Sequence, residues 1–184
     1  MTKTQKIILI SALEGLAALA LAALLVFSLW ILCSPQTMAT ASEKTGNYSF
    51  AVTCADLRYK YTKKTDDLAR CVQDSILCGN DELIVKYGES FIAKDDFEEV
   101  CESRGENFKT YACGNIALSQ YKTESLEKAV STCEKGGALS FIKLTVAVAE
   151  SGSGEDRQAL ITALENQTPS ETITNLLKLL NTGE

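Results

Sequence analysis

The chain has 184 residues, enough for one ordinary domain beyond a long apolar stretch near its start, and it carries 24 acidic against 18 basic residues for a net charge of −6. An acidic chain repels phosphate backbones, and no basic stripe with interleaved aromatics appears, so no nucleic-acid partner is expected. There is no histidine, no Cys-x-x-Cys pair and no glycine-rich phosphate loop, so Ser-His and Cys-His catalysis, imidazole metal sites and thioredoxin-like redox chemistry all lack their residues.

The apolar stretch runs from Ile7 to Cys33, IILISALEGLAALALAALLVFSLWILC, with Glu14 as its one charge. A bilayer core needs about 20 mostly apolar helical residues, and a buried helix of a small domain has no need to be apolar on every face. The expectation is a transmembrane helix over residues 7–33, with residues 1–6 as a cytoplasmic N-terminus. Lys3 and Lys6 precede the stretch and the first base after it is Lys44; positive charge prefers the cytoplasmic side, so the domain is expected outside, in a periplasmic or extracellular location. Trp30 suits an interfacial anchor, and Glu14 is read as lying near the headgroups. Two rival readings keep the export but change the tether. Ala39-Thr40-Ala41 before Ser42 has the form of a signal-peptide cut site, although the apolar region is long for one. A lipoprotein would need a small residue before its modified cysteine, whereas Leu32 precedes Cys33.

Residues 34–47, SPQTMATASEKTGN, lack periodicity and are read as a flexible linker; Asn47-Tyr48-Ser49 has the form of a glycosylation sequon. From residue 48 the start and stop signals mark successive helices. They are expected at about 48–61, 66–77 with Thr65 as cap and Gly79 as stop, and 80–94 with Asn80 as cap. Next come a short helix from an Asp95/Glu98 capping box to about 103, one over about 107–121, and one capped by Thr123 or Ser125 that stops at Gly136-Gly137. Residues 138–150 are apolar on most sides and predict the most buried helix. Ser153 with Asp156 caps the next, and Thr168-Pro169-Ser170-Glu171 starts a last helix whose Ile173, Leu176, Leu177 and Leu180 share one face. With prolines only at 35 and 169, the class expected is all-α.

A faint repeat runs through these hairpins. Ala69, Val100, Ala129 and Ala159 recur about 30 residues apart, and Gly88, Ala117 and Ala147 each stand twelve residues before one of them. In the second unit the match is fuller, with Ile84, Tyr87, Gly88, Phe91, Phe97 and Val100, and KDDFEEV (94–100) and TESLEKAV (123–130) each look like a repeat's turn and second-helix start. This pattern resembles the tetratricopeptide repeat, over about residues 48–167, with residues 168–184 as a capping helix. The units are shorter than that family's usual ~34 residues and no proline closes them. The resemblance implies an α-solenoid whose first helices line a groove for a protein or peptide partner. The positions that carry over are Asp56 and Tyr59 in the first unit, Glu82, Val85, Glu89 and Ile92 in the second, and Tyr111, Leu118, Tyr121 and Lys122 in the third. Aromatics there give contact area and charges select partners.

Six cysteines follow the apolar stretch: Cys54, Cys71, Cys78, Cys101, Cys113 and Cys133. An even number in an exported domain suggests disulfides, and Cys71–Cys101 and Cys113–Cys133 would join neighbouring helices, though six cysteines allow 15 pairings. Free cysteine is equally a good small core residue. The expected function is a membrane-anchored extracytoplasmic adaptor or scaffold. It would be held in the bilayer by residues 7–33 and would bind a protein or peptide, with no enzyme activity, cofactor, metal or small-molecule substrate. The alternative is a disulfide-stabilised helical surface or spacer protein without a groove.

Overall fold

A computed structural model describes the backbone of residues 3–181 and the side chains of residues 12–29 and 34–181. Among these residues the protein is all-helical, with no strand. The helices are α1 (Lys3–Cys33), α2 (Pro35–Lys44), α3 (Tyr48–Thr62), α4 (Thr65–Cys78), α5 (Asp81–Ile92), α6 (Phe97–Arg104), α7 (Phe108–Thr123), α8 (Leu126–Gly136), α9 (Phe141–Ser151), α10 (Gly154–Glu165) and α11 (Glu171–Asn181), with a 3-10 turn at Ala138–Ser140 before α9.

Helix α1 contains the window Ala12–Leu29, of mean hydropathy 2.2, long and apolar enough to cross a membrane, and none of it is buried against the rest of the protein. It is therefore not the core helix of the domain. Lys3, Lys6, Trp30 and Cys33, which bear on orientation and anchoring, have side chains outside the described residues.

The segment 34–47 is not an unstructured linker. Pro35 occupies the first turn of α2, where its missing N–H costs nothing. The helix buries Met38, Ala39 and Ser42 against α3, and Met38 and Ala39 share a small core with Cys54. Asn47 then caps α3 by accepting from the Phe50 N–H.

Beyond α2, packing proceeds mostly from each helix to the next: α3 on α4, α4 on α5, α5 on α7, α7 on α8 and α9, and α9 on α11, which also covers α10. Helix α7 is enclosed along its middle, with Ala112, Cys113, Gly114, Asn115, Ile116, Ala117, Ser119 and Gln120 all buried. It stands between two cores. One gathers Leu68, Val72, Phe91, Phe97 and Ile116; the other gathers Ala117, Phe141, Leu144, Val148, Leu160 and Leu164. Phe91 and Phe141 are fully buried, a contribution of about 1.5–3 kcal/mol each on area grounds. Helix α9, expected to be the most buried, instead exposes Leu139 just before it, together with Ile142 and Val146.

The repeat positions are unequal. Ala69, Gly88, Ala117 and Ala129 are buried, Val100 and Ala147 are half-buried, and Ala159 is exposed. Helix α6 does not close a hairpin with α5. It packs on α4 and α7, and reaches α5 where Phe97 stands edge-on to Phe91 at 4.9 Å between ring centres. Nothing in this packing of the described residues identifies a tetratricopeptide unit.

Candidate functional site

Helix α5 starts at Asn80, whose side chain accepts from the Leu83 N–H, and α8 starts at Ser125, which accepts from the Lys128 N–H. These caps fix the two helices that flank a cleft with the end of α7 at its floor. Ile84, Tyr87 and Phe91 turn inward from α5; of its four expected groove positions, Glu82 and Glu89 are exposed, Val85 is buried and Ile92 is half-buried against the first core. These four line two adjoining depressions that share Glu89. One, of about 610 Å³, also takes Lys86, Thr123 and Glu124. The other, of about 230 Å³, takes Gln120 from α7 and Lys128, Ser131, Thr132 and Lys135 from α8.

The floor is a hydrogen-bonded chain. The Thr132 hydroxyl donates to Gln120 Oε1 at 2.7 Å, and Gln120 Nε2 donates to Glu89 Oε1 at 3.2 Å. Lys128 Nζ lies 3.2 Å from Glu89 and 3.2 Å from Glu124, and hydrogen bonds to these two carboxylates hold its ammonium above the usual lysine range. Gln120 and Thr132 are buried, so the cleft is polar and pre-ordered, with buried Val85 and half-buried Ile92 behind its α5 wall.

The other six expected groove positions lie elsewhere. Asp56 pairs with Lys60 at 2.7 Å and accepts from the Tyr87 hydroxyl; burial first, then Asp56, raises that phenol. Tyr59 packs against the first core, with Lys63 and Lys94 each 5.7 Å from its ring centre. Lys122 is tied to Asp81 at 3.3 Å. Tyr121 packs on the second core; burial, and then Asp156 near the start of α10, raises its phenol. Leu118 is half-buried. Tyr111 borders a separate surface shared with Leu139 and Ile142, where Lys143 lies 6.0 Å from its ring centre. One cleft therefore unites four of the ten.

The α8 residues of the cleft were missed because the repeat assigns groove lining to first helices alone. Their signal was in the chain: Lys128, Ser131, Thr132 and Lys135 follow i, i+3, i+4, i+7 spacing, one helical face.

The six cysteines proposed for disulfides are free thiols. Five are buried and Cys78 is half-buried. Burial pushes Cys54 up, Cys101 to about 11, Cys71 and Cys113 to about 12, and Cys133 further still. They serve as compact apolar filling between helices rather than as cross-links. No cluster of three or more metal-ligating side chains occurs among the described residues.

Among the described residues the architecture is thus all-helical, with one helix long and apolar enough to cross a membrane. Comparison with known protein families, with characterised proteins and with solved structures finds no match to any of them.

Proposed function

We propose that this chain is a membrane-anchored adaptor: α1 spans a bilayer, and the helical domain docks a protein or peptide partner in the cleft between α5 and α8. The observation that carries this reading is the cleft itself. Four positions singled out as groove residues, Glu82, Val85, Glu89 and Ile92, border it with a facing row from α8. Its carboxylates and ammonium groups, with half-buried Ile92 behind them, suit a peptide segment, whose backbone and side chains offer both hydrogen-bond signs. The unburied apolar window of α1 supports the anchor. The lysines at 3 and 6 support placing the domain outside the cytoplasm.

The test uses the full chain in membranes. Photo-crosslinking residues at positions 92 and 131 should capture the same partner, and one at 179, on the exposed side of α11, should not. Alkaline carbonate should leave the chain in the pellet, and protease added to sealed cells or vesicles should reach the domain from the non-cytoplasmic side. Carbonate extraction would remove the anchor from this reading. Equal capture from all three positions would remove the cleft.

A spacer without a groove is the second reading. The ion pair of Glu89 with Lys128, which spans the cleft, favours it. No capture at 92 or 131 in intact membranes selects it.

A further inference from the structure

Helix α2 holds to the domain through a small core of its own. Met38 and Ala39 meet Cys54 and Phe50 of α3, in a cluster separate from the two main cores. Side-chain hydrogen bonds from the body reach α2 through two arginines. Arg58 of α3 donates to Gln36 Oε1. Arg70 of α4 has its Nε and Nη2 at 2.8 and 2.7 Å from Glu43 Oε1, and Nη2 also donates to Thr40 Oγ1 at 2.7 Å.

Each arginine has a second acid within the body. Asp67 accepts from Arg58 Nε at 2.5 Å. Asp74 follows Arg70 by one turn of α4, and its Oδ2 stands 3.9 Å from the Arg70 guanidinium. Asp74 is only 1% exposed, and that oxygen receives no hydrogen bond. A buried acceptor without a donor is costly, and here the donor beside it is spent on another helix. Were α2 to leave, a small turn of the Arg70 side chain would close the gap to Asp74, and Arg58 would keep Asp67. Neither cation would be stranded, which is the usual penalty for breaking a buried pair. The body therefore holds a replacement partner for the very group that fastens α2.

We propose that α2 is a two-position strap: docked, it is held by Arg58 and Arg70; lifted, it hands Arg70 to Asp74 and leaves residues 34–47 as slack between α1 and the domain. Glu43 with Thr40 competes against Asp74 for one guanidinium, and that competition sets the balance between the two positions. While the strap is down, Ser34 alone separates α1 from α2. Once it is up, the domain gains reach. Helix α2 packs on α3, whereas the cleft is lined by α5, α7 and α8, so the strap stands or falls apart from any partner of the cleft. Cys54 lies beneath α2 and is 1% exposed, which makes it a reporter of lifting.

The experiment pulses the full chain in detergent micelles with a maleimide at neutral pH. Modification at each cysteine is counted by mass spectrometry of its peptides, and each rate is scaled to that of the unfolded chain. Cys54 should react about tenfold or more faster than Cys71, Cys113 and Cys133, which open only with the body. Asp74→Asn removes the carboxylate that awaits Arg70 and should slow Cys54 by about tenfold, while Glu43→Gln weakens the docked contact and should speed it, both without effect on Cys113. Equal scaled rates at Cys54 and the other three overturn the proposal, as does an Asp74→Asn variant whose Cys54 reacts as fast as the native one. Should Asp74→Asn not fold, Glu43→Gln decides, and an unchanged Cys54 rate there overturns the strap.

Discussion

Gly88 of α5 lies so close to Ile116 of α7 that a methyl group added at residue 88 would sit 2.6 Å from Ile116 Cγ1 and within 2.9 Å of two further atoms of that side chain. Ile116 is fully buried, so it has nowhere to retreat. The contact sets how closely α5, one wall of the cleft, approaches the central helix.

Gly88→Ala should therefore destabilise the protein by about 1–3 kcal/mol, in spite of alanine's better helix propensity of about 1 kcal/mol. Denaturant unfolding of the full chain in micelles measures it. Ile116→Ala makes room, so the double variant should show a coupling of about 1 kcal/mol or more. Additive losses would mean that the two side chains are not in contact.

Asp67 fastens the end of α3 to the start of α4. Its carboxylate accepts from Arg58 and from the Thr62 hydroxyl, both at 2.5 Å, and its side chain is 7% exposed. Asp67→Ala leaves the partly buried Arg58 without its carboxylate, with Gln36 as its remaining acceptor, at a cost of about 2–3 kcal/mol. Surface ion pairs elsewhere give a control: Lys109→Ala, whose partner Glu98 is well exposed, should cost under about 1 kcal/mol.

Much of the helical grammar was legible in the chain, and its failures share a physical cause. The Ser153/Asp156 capping box forms as expected, Asn80 and Ser125 cap their helices, and Gly79 ends α4 in the left-handed conformation. The short-helix box at Asp95 and Glu98 does not form. Asp96 is the residue before α6, and its carboxylate accepts the Thr65 hydroxyl at 2.6 Å, which removes both as side-chain caps. A side chain with one strong partner in the tertiary fold is lost to local capping. Likewise Ser170, not Thr168, receives the first amide of the last helix, from Ile173. Helix α2 was illegible because it buries two small residues and one methionine, too little apolar surface to print a period. The apolar face of α9 misled because composition does not say which apolar residues meet a neighbour. Half of the cleft was readable from α5, and the α8 half was hidden by the family convention.

The buried thiols make alkaline pH destabilising. Cys71, Cys101 and Cys113 stay protonated in the fold to about 11 or 12, whereas in the unfolded chain they ionise near ~8.5. The unfolded state then binds fewer protons, so stability falls as pH rises through that interval. Thermal unfolding under reducing conditions should drop steeply above about pH 9, and Cys113→Ala should flatten the slope. At neutral pH a maleimide should modify half-buried Cys78 before the five buried cysteines.

Thr132→Val tests the cleft floor. It keeps the shape but leaves Gln120 Oε1 buried without its donor, at a cost of about 1–3 kcal/mol. Glu89→Gln retains an acceptor for Gln120 and should cost under about 1 kcal/mol, while the Lys128 ammonium returns toward its ordinary range. A partner held by the cleft should lose affinity in both variants; a partner held elsewhere should feel neither.

Ser34 is the one residue between the end of α1 and the start of α2. A floppy leash of 14 residues would let a tethered body wander about 20 Å from its root. A single hinge gives almost no slack. If α1 is fixed in a bilayer and α2 stays docked, the helical domain is held at the lipid surface and not above it, and on the adaptor reading its partner would have to arrive there. On that reading the search would be a two-dimensional one, and a pull on the domain would reach the hydrocarbon rod with no spring in between.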